Sequence, residues 1–265
     1  MNTRLYIIFS LIFTLGLSSC TFQPAIDDQG NVSIRPQGKV LRSQGIKNFE
    51  KIKQNRVISH DPQYTRPVAR VAKRLKEVID MPDAQWEFVI FKDASPNAFA
   101  LPGGKVGIHT GLFRIADTDA LLAAVLGHEV SHATAAHAYQ RMRHAATILI
   151  SGVILYHVLE NNDHKHTEAS LAAYTLASYL LETLPLARRQ EYESDRIGAI
   201  YMAKAGYDPR QSIELWRKLS RYHDQHGRYK PEFLRTHPKD EKRISALQSF
   251  MPIAMKHYNR SKKGE

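Results

Sequence analysis

The stretch Ala123–Ala138, AAVLGHEVSHATAAHA, places two histidines four residues apart, with a glutamate directly after the first, inside a run of alanine, valine and leucine. The apolar background predicts a buried helix. On a helix, residues i and i+4 share one face about a turn apart, so His128 and His132 can aim both imidazoles at one point. A zinc ion bound by imidazole nitrogens at about 2.0–2.1 Å is the ligand that fits such a pair. Glu129 is rotated about 100° from His128. It therefore reaches a metal-activated water without being a ligand, which is the place of a general base. A capped or paired helix face is the plainer alternative for the same residues.

A hydrolytic zinc site needs a third protein ligand and an open position. His137 follows the pair, but nine residues along a continuous helix is about 180° round from His128, so it is expected to face away. With His144 it reads as a surface histidine. Ala135 and Ala138 stand where a glycine and a third histidine would extend the motif. The better source is residues 188–209, RRQEYESDRIGAIYMAKAGYDP, where Glu191 and Asp195 are again i and i+4 and Glu193 points elsewhere. Glu191 can supply a carboxylate ligand, and Asp195 can accept the free N–H of a ligating histidine and fix its tautomer. Alone, these acids would read as a solvated patch paired with Arg188, Arg189 and Arg196. Two such pairs in one chain favour a site for one zinc ion.

Around these segments the pattern is mainly helical, with little strand. Asp61-Pro62 opens a helix carrying Val68, Val71, Leu75, Val78 and Ile79, closed by Met81-Pro82. Residues 85–91 read as a strand. Residues 97–101, the turn Pro102-Gly103-Gly104 and residues 105–109 read as a hairpin. Asp117 is a candidate N-cap for a helix from about Thr118 to Tyr139. Residues 145–159, AATILISGVILYHVL, are expected to form a buried helix, with a membrane-facing flap as the alternative. The loop beyond them, with His157, His164 and His166 around it, reads as a solvated segment rather than a second metal site. Residues 169–184 form another apolar helix stopped by Pro185. A further helix from about Leu186 ends at Gly206, a third starts at Asp208-Pro209, and a terminal helix follows Thr236-His237-Pro238. The expected fold is a single α+β domain over residues 61–265, with a small sheet or hairpin beside the histidine helix.

The formal charge of the 265-residue chain is +11. Its lysines and arginines are interspersed with acids and lack the interleaved aromatics of a nucleic-acid groove, so no nucleic-acid partner is expected. Cys20 is the single cysteine, which excludes an intrachain disulfide. The start MNTRLYIIFSLIFTLGLSSC has a basic flank, a short apolar run and small residues before Cys20, the form of a secretory signal peptide over residues 1–19. Leu17-Ser18-Ser19-Cys20 resembles the bacterial lipobox. That implies acylation of Cys20 and a membrane-lipid partner, and Thr21 after it implies an outer-membrane lipoprotein facing the periplasm of a Gram-negative cell. Residues 20–60, broken by prolines and glycines, read as a tether.

Four blocks, NAFALPGGKVGIHTGLF, LGHEVSHATAAHA, EYESDRIGAIYMAKAGYDP and THPKDEKRISAL, together resemble the zinc metallopeptidase family of the HtpX and CAAX prenyl protease type. The similarity is greatest to its soluble bacterial branch, the β-barrel-assembly-enhancing proteases. The resemblance implies a zincin-like fold of the gluzincin type. It puts His128, His132 and Glu191 on zinc, makes Glu129 the base, and sets Asp195 behind a ligand. It gives His237 a role either in stabilising an oxyanion or in occupying the open metal position. It also makes Asn97, Ala98, Phe99 and Ala100 a substrate-facing edge strand that pairs with an extended polypeptide. The expected activity is a metalloendopeptidase acting on unfolded or misassembled envelope proteins. A latent zinc-binding chaperone is the alternative.

Overall fold

In the computed structural model, which describes residues 23–162, 164–226, 233, 237 and 241–263, the local signals of the sequence account for most element boundaries. The chain forms α1 (Lys39–Asn55), α2 (Pro62–Val78), β1 (Glu87–Phe91), β2 (Ala98–Leu101), β3 (Lys105–His109) and α3 (Asp119–Thr134). It continues as α4 (His137–Glu160), α5 (Thr167–Ser178), a π-helical turn (Tyr179–Thr183), α6 (Leu184–Lys204), α7 (Gln211–His226) and α8 (Glu241–Lys263). This is the expected α+β class, mainly helical with one small sheet. Asp61 caps α2 by accepting from the Gln63 amide, with Pro62 in the first turn, as the Asp-Pro pair predicts. The hairpin turn is made by Gly103 and Gly104 at φ 90° and 82°, the left-handed region that favours glycine. Antiparallel pairing matches Phe99 with Gly107 and Ala100 with Val106, and β1 joins the other side of β3 in parallel. The sheet order is therefore β1-β3-β2, with β2 at an edge.

The chain divides into two compact units. The larger, Ala25–Ala138 with Gln190–Glu265, holds the main core, where Leu75, Ile108, Leu112, Leu122, Leu126 and Ile200 are buried. Within it α3 crosses the 190–204 stretch of α6 at two glycines. A Cβ on Gly198 would stand 2.9 Å from the backbone nitrogen of His128, and one on Gly127 would stand 3.0 Å from the Gly198 carbonyl oxygen. Only glycine at both positions permits this approach, and the contact lies one residue from His128 and three from Asp195. The smaller unit, over Tyr139–Arg189, has a buried seam that includes Leu155 and Leu159.

Several expectations are corrected. The stretch read as a tether is ordered from Ala25 within the larger unit; α1 is a 17-residue helix with Phe49 fully buried. Phe49 packs edge-on against Phe91 and Phe99, so one aromatic anchor outweighs the flanking glycines. Thr118, not Asp117, caps α3, accepting from the Leu121 amide, while Asp117 pairs with Lys218. The helix ends at Thr134 rather than continuing to Tyr139, because Ala136 adopts φ 54° and a new helix starts at His137. Pro185 does not stop the second apolar helix. The π turn over Tyr179–Thr183 widens the backbone just ahead of it, and the helix runs on. Residues 145–159 are helical but buried only at Leu155 and Leu159 among their large apolar side chains: Leu149, Ile150, Val153 and Ile154 are all about half or more exposed. Cys20 and the signal sequence lie outside the described residues.

The close helix crossing yields a stability prediction. Gly198→Ala drives a methyl group into the backbone at His128 and is expected to lower stability by about 1–3 kcal/mol. Urea unfolding followed by circular dichroism measures it; an unchanged midpoint would contradict the crossing.

Candidate metal centre

All of the site lies in the larger unit. His128 and His132 come from one face of α3, and Glu191 and Asp195 come from one face of α6, as their i, i+4 spacing predicts. Apolar neighbours and the glycine crossing set the two helices against each other, so these side chains meet in the interior. His237 completes the group. His128, His132, Glu191 and His237 are all buried, and one donor atom of each lies within 4.8 Å of the others.

The separations test whether a metal ion fits. Four donors bonded tetrahedrally at about 2.0–2.1 Å lie about 3.4 Å apart. The His128 Nε2 atom is 3.2 Å from His132 Nε2 and 3.2 Å from His237 Nδ1. Glu191 places Oε2 3.5 Å from His128 Nε2 and Oε1 3.5 Å from His132 Nε2. The same carboxylate lies 3.0 and 3.1 Å from His237 Nδ1. Three imidazoles and a carboxylate at these spacings can hold one metal ion and suit zinc. Glu129 points into the same space with its Oε1 buried, without a hydrogen-bond partner, and 3.3 Å from His237 Nε2.

Hydrogen bonds behind the donors fix which nitrogen faces the centre. Asp195 Oδ1 accepts from His128 Nδ1 at 3.1 Å, which turns Nε2 of His128 inward. His132 Nδ1 lies 2.9 Å from His137 Nδ1, and His137 Nε2 lies 2.8 Å from Glu193 Oε2. The proton assignment consistent with an acceptor carboxylate runs in one direction: His137 donates to Glu193 and accepts from His132, leaving His132 Nε2 bare. Glu193 also takes the Ala25 backbone amide. The reversal at Ala136 swings His137 back into the interior, where it is fully buried. The expectation that His137 faces solvent assumed a continuous helix and is corrected. His144 is also buried, with Nε2 3.2 Å from Thr183 Oγ1. Glu193, expected to point elsewhere, backs the site instead.

Arg243 was not singled out from the sequence, although it lies in the last of the four blocks. It donates to Asp195 through Nε at 2.8 Å and an Nη at 2.9 Å, and its other Nη is 3.0 Å from Glu191 Oε2. Its guanidinium stacks over Trp216 at 4.1 Å. The available signal was that two buried carboxylates on one helix face require a fixed counter-charge.

Electrostatics follow from this packing. Burial opposes charging His128, but the Asp195 and Glu191 carboxylates overcome it and hold its pKa up at about 9. Burial drives His132 well below the usual histidine value. Burial raises Glu191 and Asp195, yet His237 with His128, and Arg243 with His128, hold the two carboxyls below the ordinary range. Burial pushes Glu129 up, the direction that suits a group passing a proton near neutrality.

The predicted edge strand is present. The Ala100 backbone amide bonds to the Glu129 carboxylate, so β2 borders the general-base candidate. Ala98 is buried and Phe99 covers Gly107. Asn97 lies just ahead of the strand, its carbonyl accepting from the His109 amide and its Oδ1 buried without a partner. Among the described residues, no second group of three or more possible metal donors occurs, so His157, His164 and His166 form none.

The fold and the donor set together define a zincin-like metallopeptidase domain. The model of peptidase family M48 matches residues 62–251, and the chain belongs to that family. It is 34% identical over 187 residues to the mitochondrial metalloendopeptidase OMA1 of Schizosaccharomyces pombe, covering 71% of this chain and 53% of that protein. It is 31% identical over 192 residues to the β-barrel assembly-enhancing protease of Escherichia coli K12, covering 70% and 38% respectively. The putative β-barrel assembly-enhancing protease of Vibrio cholerae is 30% identical over 202 residues, with 73% and 40% covered. The chain thus spans about half or less of the length of these curated relatives.

Metal uptake should be linked to pH. In the metal-free protein His128, with its pKa near 9, carries a proton at pH 7.5, whereas a ligating histidine must be neutral. Zinc binding is therefore expected to release about one proton at pH 7.5, and affinity should rise about tenfold per pH unit until His128 is neutral. Calorimetric titration in two buffers of different ionisation enthalpy checks this, and zero proton release would contradict it.

Proposed function

We propose that this chain is a zinc-dependent metalloendopeptidase, lipid-anchored through Cys20 in the bacterial periplasm, that cleaves unfolded or misassembled envelope polypeptides. The observation that carries the reading is the convergence of His128, His132 and Glu191, backed by Asp195 and Arg243, beside the buried Glu129. His128, His132 and Glu191 would hold the ion. Zinc, when bound, supplies a Lewis acid for the scissile carbonyl and makes water more acidic. Glu129 takes the proton from the attacking water and later delivers it to the leaving amine. An extended chain adds to the edge of β2, which explains a preference for unfolded substrate, because a folded one offers no free strand. The assignment to a bacterial envelope rests on the N-terminal sequence. Relatives include a mitochondrial protein as well as bacterial ones, so family membership alone leaves the compartment open.

His237 supports a latent state. Its Nδ1 takes the fourth corner of the donor group, the place a substrate carbonyl or water needs, and its Nε2 faces Glu129. Activity then requires His237 to leave. A chaperone whose zinc stays capped is the second reading favoured by the same contact. Glu129→Gln is expected to abolish casein cleavage by the full chain, at least a thousandfold, while leaving one zinc per chain. His237→Ala is expected to raise cleavage about tenfold by removing the closed population. Loss of activity in His237→Ala would instead make His237 an oxyanion stabiliser, and cleavage surviving Glu129→Gln would overturn the proposal.

A further inference from the structure

The unit over residues 139–189 carries an apolar surface that the metal site does not use. Leu149, Ile150, Val153 and Ile154 of α4 are 68%, 61%, 49% and 49% exposed, and Leu176, Leu180 and Leu181 after them are 58%, 50% and 62% exposed. An apolar helix is ordinarily the core of a soluble domain, but only 17% of the apolar window of α4 is buried. A continuous patch of this kind marks a binding surface.

Charge placement identifies what covers it. No Asp, Glu, Lys or Arg occurs in residues 144–159 or 169–181. Charged groups lie only at the two ends. Exposed Arg141, Arg143, Arg188 and Arg189 flank the base of the helix pair, and Glu160, Lys165 and Glu168 flank its tip. A second copy of the chain or a peptide would call for a polar rim all round an apolar centre, with about ten hydrogen bonds across the contact. A lipid leaflet calls for an uncharged band bordered by arginines that meet phosphates.

Length separates lying on the bilayer from crossing it. The 16 uncharged residues of α4 rise about 24 Å at 1.5 Å each, short of the roughly 30 Å hydrocarbon core. The acidic tip would also have to cross. A cavity of about 730 Å³, lined by Ile148, Leu149, Gly152, Tyr156, Leu171 and Tyr174, gives the surface a concave apolar region that a lipid tail can enter.

We propose that the 139–189 unit is a membrane-contacting module. Its exposed apolar face rests in the outer acyl layer of an anionic bilayer, with Arg141, Arg143, Arg188 and Arg189 against lipid phosphates. This contact is separate from acylation of Cys20 and does not depend on the peptidase reading. It gives the domain a second point of attachment, which limits its rotation about an N-terminal anchor.

The test uses the full chain with an environment-sensitive NBD fluorophore on Ile150→Cys, Leu180→Cys or, as a control at an exposed position of α2, Lys73→Cys. Dye-treated wild-type chain sets the background from Cys20. With vesicles of phosphatidylcholine and phosphatidylglycerol at 7:3, labels at 150 and 180 are expected to brighten at least threefold and to be quenched by nitroxide-bearing lipid tails, and the label at 73 to do neither. Labels at 150 and 180 that stay as wet as the label at 73 would overturn the proposal. So would brightening without vesicles in a sample that light scattering shows to be dimeric, which would assign the face to a second copy. Equal quenching in pure phosphatidylcholine would overturn the anionic assignment.

Discussion

Three acidic side chains, Glu129, Glu191 and Asp195, are buried in one small volume, and the structure depends on keeping two of them ionised there. An isolated buried carboxylate is strongly disfavoured and takes up a proton instead. Arg243 prevents this by bonding Asp195 twice and touching Glu191, while its own charge is spread over the face of Trp216. Asp195 in turn orients His128. The donors are thus held in a charged, preorganised state that suits a divalent ion and that a purely apolar core could not sustain.

The backbone makes this possible at the glycine crossing. Gly127 and Gly198 let α3 and α6 approach closely, bringing residues 128–132 opposite residues 191–195. A second backbone device, the reversal at Ala136, returns His137 to the interior and connects His132 through Glu193 to the Ala25 amide. Both helix histidines of the centre are therefore backed by a carboxylate, directly for His128 and through one intervening imidazole for His132. The region around residue 25, which sequence composition presents as a linker, is part of the frame that orients a metal donor.

The i, i+4 pairs made much of the centre legible in the sequence, because helical periodicity alone decides which side chains share a face. The turn Pro102-Gly103-Gly104 likewise announced the hairpin, and Asp61-Pro62 announced α2. What stayed hidden depends on long-range packing or on a single unusual dihedral. His137 could not be placed, because alanine gives no warning of a left-handed backbone at Ala136. Arg243 stands 48 residues from its partner Asp195, and no periodicity links them. The 145–159 helix looked like core because composition reports that a segment is apolar, not whether protein covers it. The helix over Lys39–Asn55 was missed because its stability comes from Phe49 packing on distant aromatics rather than from its own pattern.

The central claim is that one zinc ion is held by three imidazoles and one carboxylate, with His237 as the removable member. X-ray absorption spectroscopy of the zinc-loaded full chain measures this directly. The account predicts a four-coordinate N/O shell with three histidine contributions, falling to two in His237→Ala while zinc is retained. An unchanged histidine count in that variant, or loss of the metal from it altogether, would contradict the account.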